Sequence, residues 1–192
     1  FVHGGPFANI AHGCNSIIST NLALKLSDFV ITEAGFGADL GAEKFFDIKC
    51  RYLTEKPSVA VVVATVRALK MHGGVKVDQL KKENIGAVLT GSANLIRHLE
   101  NISKFGVPTV VCINRFINDT DSEVGAIIEA IDKSGINSKV ILSNHWAEGG
   151  NGITNLASEV INICENIDLD FMHLYELDDG IELKINKIAR EI

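Results

Sequence analysis

The fold is indicated by the apolar stretch Val59-Ala60-Val61-Val62-Val63-Ala64, which follows a break at Glu55-Lys56-Pro57. A continuous run rich in β-branched residues is typical of a strand buried on both faces, as in a parallel sheet covered by helices. We therefore expect residues 59–64 to form a strand near the centre of such a sheet.

The sequence on either side alternates between short apolar runs and apolar residues at helical spacing, with glycine- or asparagine-rich turns between them. This alternation is typical of an α/β fold, here a mostly parallel sheet with helices on both faces and about five βα units. Asn15 or Ser16 is placed to cap the first helix. Strands are predicted at 29–31, 59–64, 108–113 and 139–142, and helices at 16–26, 42–49, 84–105, 121–134, 153–166 and 178–192.

Length and composition limit the class of protein. At roughly 150 residues per domain, a chain of 192 residues predicts a single α/β domain over 1–192, with a helical appendage at 167–192. The hydrophobic fraction of 46% and charged fraction of 22% exclude a disordered chain. Because the chain begins at Phe1, without methionine or a helix cap, we expect an internal portion of a longer protein.

The net charge and the cysteine spacing limit which binding partners and which cellular compartment are expected. The 18 Lys and Arg residues against 24 Asp and Glu give a net charge of -6 without a basic block, which argues against nucleic acid. No apolar run approaches the ~20 residues that span a bilayer, so we expect a cytoplasmic protein without membrane contact. The cysteines stand singly and predict inert thiols in a reducing compartment, at Cys14, Cys50, Cys112 and Cys164.

Candidate ligand-binding residues lie in loops after the predicted strands, because parallel sheets bind ligands beyond the carboxyl ends of their strands. The first such loop, Glu33 to Gly41, has a carboxylate at the strand end and then three glycines. It fits a phosphate-sensing or Mg²⁺-associated site, with Glu33 or Asp39 near the metal through water. It equally fits a tight turn whose glycines only provide positive φ.

The loop after the expected central strand, Thr65 to Gly74, contributes the candidate catalytic residues Arg67, Lys70 and His72. Arg67 and Lys70 are three residues apart, so on a helical turn they would share a face and meet one anionic ligand. The alternative is a solvated helix face. His72 precedes two glycines and is either a loop histidine or an acid/base group.

Aromatic side chains follow the next two predicted strands. Asn114 and Asp119 flank Phe116 where nucleotide-binding α/β proteins place an asparagine and a carboxylate to read a purine base. Phe116 either stacks on a heterocycle or folds back on the sheet edge, whereas Trp146, on a polar glycine-flanked loop, favours ligand stacking. Two aromatics at adjacent strand ends would sandwich one flat ring, such as a pterin or a nucleobase.

Two further sequence features concern the ligand-binding cleft that we expect the strand-end loops to form. The opening loop His3 to Gly13 carries two histidines and three glycines, and we expect it to line the same cleft. The sequence has no Gly-x-Ser-x-Gly, so it does not support hydrolase chemistry of that type.

Residues 63–74, VATVRALKMHGG, resemble the signature of the formate–tetrahydrofolate ligase family. Residues 1–16, 32–51, 114–123 and 146–150 resemble the same family, so the similarity extends over essentially the whole chain. One departure is Glu148, where the family often has lysine before the paired glycines.

The resemblance implies a P-loop NTPase-like fold and an ATP-dependent ligase that joins formate to N10 of tetrahydrofolate through formyl phosphate. It also implies Mg²⁺, a monovalent cation (K⁺ or NH₄⁺), the remaining part of the parent chain, and a homo-oligomer, usually a tetramer. Phe116 and Trp146 would stack on the pterin ring. The nucleotide and phosphate side would comprise Glu33, Gly35, Gly37, Asp39, Thr65, Asn114 and Asp119.

The phosphate-binding loop of that fold, Gly-x-x-x-x-Gly-Lys-[Ser/Thr], does not occur in the 192 residues. Positioning and electrostatic stabilisation supply nearly all of the catalysis in phosphoryl transfer. We therefore expect the isolated chain to be inactive. The alternative is a non-catalytic folate- or nucleotide-binding module, a truncated paralogue that shares every motif above.

Overall fold

The computed structural model describes residues 14–192, and the expectation for the loop His3 to Gly13 lies outside them. The chain divides into two compact units. The first comprises the described residues up to Pro57 together with Lys104–Gly106 and Asp170–Ile192, and the second comprises Ser58–Ser103 and Val107–Leu169. The prediction of one domain with an appendage at 167–192 stays a prediction.

The second unit is built on a parallel sheet of three strands, β1 (Ala60–Ala64), β2 (Thr109–Asn114) and β3 (Ser138–Ser143). Their order is β1-β2-β3, and Val62, Val111 and Val140 lie side by side in the register. Around the sheet lie α3 (Val66–His72), α4 (Ile85–Ser103), α5 (Asp121–Ser134), α6 (His145–Glu148) and α7 (Thr154–Asn166). The α/β class with a parallel sheet flanked by helices is therefore confirmed. The sheet has three strands among residues 14–192, fewer than the five that five βα units would supply.

The most buried strand is β2 and not β1, so the expectation that residues 59–64 form the central strand is wrong. Helix α4 contacts β1 and β2, whereas α7 packs against Val110 and Cys112 of β2 and Ile141 of β3, on the face opposite to Val62. Val61 and Val63 lie on that opposite face and are 39% and 64% exposed. Apolar composition favours a strand but does not encode its neighbours, because strand order depends on non-local pairing.

The first unit contains three α-helices within the described residues, α1 (Ile17–Leu26), α2 (Gly41–Asp47) and α8 (Ile181–Glu191). Ser16 caps α1, because its side chain accepts a hydrogen bond from the Ser19 N–H at 3.1 Å. The aromatic core of this unit includes Phe46 of α2, whose ring centroid lies 4.7 Å from that of Phe105. The helix predictions for this unit are confirmed.

The predicted strand at 29–31 is wrong, because these residues form neither strand nor helix. Phe29 is 48% exposed and Ile31 is 95% exposed. A run of three apolar residues provides few ladder hydrogen bonds, and this run pairs with no strand among the described residues.

Two expectations about the whole chain concern membranes and thiols. No helix within residues 14–192 is long and apolar enough to cross a membrane. All four cysteines are free, and Cys14, Cys50 and Cys112 are buried. Burial raises the pKa of Cys50 to about 12, which agrees with the prediction of an inert thiol.

Candidate functional site

The carboxyl ends of β2 and β3 adjoin, so the loops that follow these strands lie next to each other. Asn114 pairs with Ser143 in the last step of the parallel register, and the Arg115 N–H donates to the Ser143 carbonyl at 3.1 Å. The loop after β3 is closed by a hydrogen bond of 3.0 Å from the Asn144 N–H to the Gly152 carbonyl. The predicted adjacency of the two aromatic loops is confirmed.

Phe116 and Trp146 face each other across this junction. Their ring centroids are 6.3 Å apart and their planes are inclined by 45°. Trp146 is 73% exposed and Phe116 is 37% exposed, so neither ring is absorbed into the core. Because carbon atoms in contact lie ~3.5–4 Å apart, a flat ring between two parallel walls needs a gap of ~7 Å or more. The two rings thus lie close to each other, and stacking a flat ligand ring between them requires the rings to move apart and become parallel.

The loop that carries Phe116 is a closed turn. The Phe116 N–H donates to the Asp119 side chain at 2.8 Å, and the Asp119 N–H donates back to the Phe116 carbonyl at 2.9 Å. Burial raises the pKa of Asp119, although the hydrogen bond from Phe116 acts in the opposite direction. At the end of the turn, Arg115 forms an ion pair of 2.7 Å with Asp121. The Asp119 carboxylate therefore fixes the backbone of the turn at Phe116.

A pocket of about 180 Å³ opens beside this turn within the second unit. Its walls combine apolar side chains with two cations and one carboxylate, provided by Arg67, Val77, Leu80, Lys81, Phe116, Ile117, Asn118 and Asp119. Pockets for whole drug-sized ligands are usually about 300–1,000 Å³. This pocket is therefore smaller than those that enclose a whole drug-sized ligand.

Arg67 and Lys70 do not present one face to a ligand, so that expectation is wrong. Arg67 is exposed and lines the pocket, whereas Lys70 is 1% exposed. The Lys70 ammonium forms an ion pair of 2.5 Å with Glu123, and this partner cannot be anticipated from helical spacing. His72 ends α3 and is exposed, and its role as an acid or base stays a prediction.

Thr65 and Asn114 lie at the carboxyl ends of β1 and β2. The Thr65 hydroxyl caps α3 by accepting a hydrogen bond from the Ala68 N–H at 3.0 Å. Asn114 has a buried side-chain oxygen without a hydrogen-bond partner in the part of the chain that the structure describes. A buried acceptor without a partner is unfavourable, so the Asn114 oxygen is a candidate to accept a hydrogen bond from a ligand.

The loop Glu33 to Gly41 belongs to the first unit, and its glycines do not provide positive φ. The residue with positive φ is Phe36, at 69°. Gly41 is required for a different reason, because a Cβ there would lie 1.8 Å from the Gly35 carbonyl oxygen. Glu33 and Asp39 are both exposed. The tight turn is present, and anion binding by the loop stays a prediction.

Metal binding by the protein alone is not supported in the described range 14–192. No group of three or more His, Cys, Asp or Glu side chains there could hold a metal ion. Mg²⁺ usually keeps several waters and binds through one or two carboxylates and substrate phosphates. A water-mediated contact of Glu33 or Asp39 with Mg²⁺ therefore stays a prediction.

Sequence reasoning missed several residues of the pocket and its support. Lys81, Val77 and Leu80 lie between α3 and α4, in a segment without a strand-end position. Glu123 is the third residue of α5 and reads from sequence as part of a capping box. A capping box indicates a helix start and gives no indication of the buried ion pair.

These features define an α/β protein with a parallel sheet whose strand-end loops carry an exposed aromatic pair, and Phe116 of that pair also lines a pocket with cationic side chains. The family profile of formate–tetrahydrofolate ligase matches residues 1–192. The chain belongs to the formate–tetrahydrofolate ligase family.

Individual relatives agree along the full length of the chain. It is 58% identical over 191 residues to the formate–tetrahydrofolate ligase of Pelagibacter ubique. It is 58% identical over 192 residues to that of Granulibacter bethesdensis and 57% identical to that of Sinorhizobium fredii. Each match covers 100% of this chain but only 33–34% of the relative. The chain thus spans about a third of the length of the curated relatives it matches.

Proposed function

We propose that the chain carries the tetrahydrofolate side of an ATP-dependent ligase that joins formate to N10 of tetrahydrofolate. In this reaction formate takes the γ-phosphoryl group of ATP to give formyl phosphate and ADP. N10 then attacks the formyl carbon, phosphate leaves, and 10-formyltetrahydrofolate is the product. The partners are tetrahydrofolate, formate, ATP and the remaining part of the parent chain.

The observation that carries the proposal is the facing pair Phe116 and Trp146 at the ends of adjacent strands. Exposed aromatic faces at a sheet edge bind planar heterocycles such as a pterin. The neighbouring pocket adds the Arg67 guanidinium, and the buried Asn114 oxygen offers an acceptor for a ring N–H or amino group. Family membership supports tetrahydrofolate as that heterocycle.

We assign roles to the candidate catalytic residues according to whether their side chains are exposed or buried. Arg67 is free to stabilise negative charge on a ligand because its guanidinium is exposed at the pocket. His72 is the proposed acid/base group. Lys70 is removed from the catalytic set, since its ammonium is buried against Glu123. The nucleotide side is proposed to include Glu33, Gly35, Gly37 and Asp39 of the first unit.

Further properties of the parent enzyme are part of the proposal. ATP is bound as its Mg²⁺ complex, which neutralises charge on the phosphates, and a monovalent cation, K⁺ or NH₄⁺, is required. The parent is a cytoplasmic homotetramer. The isolated chain does not turn over, because its 192 residues contain no Gly-x-x-x-x-Gly-Lys-[Ser/Thr] loop.

Titration of the chain with tetrahydrofolate, followed by Trp146 emission, tests the proposal. Trp146 is the only tryptophan, so any change in emission reports its surroundings. We expect a saturable change, and Phe116→Leu should raise the Kd about ten-fold because it removes one stacking face. Phe29→Leu, the same change at a 48% exposed position of the first unit, is the control and should leave the Kd unaltered. Unchanged emission at saturating tetrahydrofolate contradicts the proposal.

A further inference from the structure

Lys70 and Glu123 form a fully enclosed ion pair in the second unit. The Lys70 Nζ lies 2.5 Å from the Glu123 Oε1, and the two side chains are 1% and 0% exposed. Another Lys–Glu pair, Lys133 and Glu129, has the same separation on the surface of α5, with side chains 74% and 60% exposed. The two pairs share chemistry and distance and differ in burial.

Both members of the buried pair make further hydrogen bonds to the backbone. The Lys70 ammonium donates to the Leu80 carbonyl at 3.0 Å and to the Lys82 carbonyl at 2.9 Å. Glu123 accepts from the Asn84 N–H at 2.9 Å and from the Thr120 N–H at 3.2 Å. Burial alone would raise the pKa of Glu123, but these hydrogen bonds and that from Lys70 outweigh it and lower the pKa. The Glu123 carboxylate is therefore ionised at neutral pH.

The backbone partners adjoin all three walls of the pocket. Lys70 lies one helical turn beyond Arg67 on α3. The carbonyls of Leu80 and Lys82 flank Lys81 on the second wall, and the Thr120 N–H directly follows the 116–119 wall. Two side chains thus join the three segments that line the pocket.

We infer that Lys70 and Glu123 act as a positioning latch, the Lys70–Glu123 latch, which holds Arg67, Lys81 and the Phe116 turn in their ligand-binding arrangement. The inference rests on the proposed function, since it names what orients the proposed folate site. Lys70 and Glu123 are positioning residues, because they line no part of the pocket.

Energetics favour positioning over stabilisation as the role of the latch. Two charges lose their hydration on burial, and apolar residues of similar volume often stabilise a fold as well or better. An apolar replacement cannot hold two carbonyls and two N–H groups at fixed angles. Stability and pocket geometry are therefore expected to separate when the whole latch is replaced.

Amide hydrogen exchange in the ligand-free chain tests the latch directly. The Phe116 amide donates to Asp119 and the Asp119 amide donates to Phe116, so neither amide donates to Lys70 or Glu123. The Val111 and Ile113 amides lie in β2 and report global opening of the second unit. In Lys70→Met/Glu123→Leu we expect the β2 amides to exchange within a few-fold of wild type. The Phe116 and Asp119 amides should exchange about ten-fold faster or more, as expected when a local segment opens independently.

Three further variants complete the test. Lys70→Met alone leaves a buried carboxylate, so it should accelerate both sets of amides. Glu123→Gln keeps an acceptor for one N–H and should give a smaller effect on the Phe116 turn than the double variant. Lys133→Met, which breaks the exposed pair, should change neither set. Equal acceleration of both sets in the double variant, or none in the turn, overturns the inference.

The tetrahydrofolate titration then separates this inference from the proposed function. If wild type binds, the double variant should bind about ten-fold more weakly, which corresponds to about 1.4 kcal/mol. Unaltered affinity in the double variant overturns the latch while leaving the proposed function intact. If wild type does not respond, the proposed function fails, and the exchange of the Phe116 turn still decides whether the latch sets the geometry of the pocket.

Discussion

At the scale of single residues, Glu43 in the first unit combines burial with a neighbouring carboxylate. It is 8% exposed on α2 and lies one helical turn from Asp47. Burial first, and then the charge of Asp47, raise the pKa of Glu43 to about 7. Asp47 accepts a hydrogen bond from the Leu174 N–H at 2.9 Å. The folded protein thus keeps a proton on Glu43 that the unfolded chain releases at lower pH.

The raised pKa of Glu43 predicts that stability falls as pH rises from about 4.5 to about 7, because the folded state binds more protons than the unfolded state in that window. Glu43→Gln is permanently neutral and still donates a hydrogen bond to Asp47. It should be more stable than wild type by roughly 2–3 kcal/mol at pH 8, with the difference vanishing near pH 4.5. The difference in unfolding free energy is measured by urea unfolding of the first unit at each pH, with exchange of the α1 amides as the readout. Glu165→Gln, at an exposed position, should show no such trend, and a pH-independent difference for Glu43→Gln contradicts the prediction.

Side chains were predictable where local sequence decides their environment. The polar, glycine-flanked loop predicts an exposed Trp146 and leaves Phe116 either exposed or folded back on the sheet edge, and the structure brings the two rings together with Trp146 73% exposed. The sequence around Lys70 does not indicate its burial, because its partner Glu123 lies on another helix. Burial of a charged residue depends on a counter-charge that a single stretch of sequence does not display.

At the scale of elements, α3 and α4 cross without space for side chains at two glycines. A Cβ on Gly91 would lie 1.9 Å from the Leu69 carbonyl oxygen, and one on Gly73 would lie 2.0 Å from the Ala87 carbonyl oxygen. Gly73 belongs to the family-like stretch 63–74, and this contact gives a physical reason for its glycine. Arg67 reaches the pocket from a helix whose position depends on these contacts.

The close crossing predicts opposite effects for two glycine-to-alanine changes in α4. Gly91→Ala should destabilise the second unit by about 2–4 kcal/mol, because backbone must move to admit the methyl group. Gly86→Ala is the matched control in the same helix, since its nearest neighbour would be Asn84 Oδ1 at 3.7 Å. It should stabilise by about 0.5–1 kcal/mol through helix propensity. Urea unfolding followed by Trp146 emission measures both, and equal effects would contradict the crossing geometry.

Element predictions succeeded where the pattern is local. The helix at 121–134 has the predicted bounds, because Thr120 and Glu123 form a capping box and Gly135 ends the helix at a φ of 74°. The order of the strands was not predictable, since Val59 to Ala64 and the β2 residues are both apolar and β-branched. Which of them is central depends on the covering helices.

At the scale of the whole molecule, the aromatic pair, the pocket and the latch all lie in the second unit, whereas the glycine loop 33–41 lies in the first. The residues of the proposed folate site therefore all belong to one compact unit. We therefore propose that tetrahydrofolate binding and ATP chemistry are separable, because the proposed folate site comprises only the pocket and the aromatic rings. Phosphoryl transfer also requires a phosphate cradle.

This separation predicts that the 192-residue chain binds tetrahydrofolate but forms no 10-formyltetrahydrofolate from formate, ATP and tetrahydrofolate. The physical reason is that backbone N–H groups and a lysine around the phosphates stabilise the transferring group, and no Gly-x-x-x-x-Gly-Lys-[Ser/Thr] stretch supplies them here. Product formation is measured at matched concentrations against the full-length relative of Pelagibacter ubique. Turnover by the chain alone would refute both the predicted inactivity and the non-catalytic module. Binding without turnover is expected both for a portion of the ligase and for the non-catalytic module. Adding the regions of the Pelagibacter ubique relative that this chain does not span distinguishes these two possibilities, because only a portion of the ligase then regains turnover.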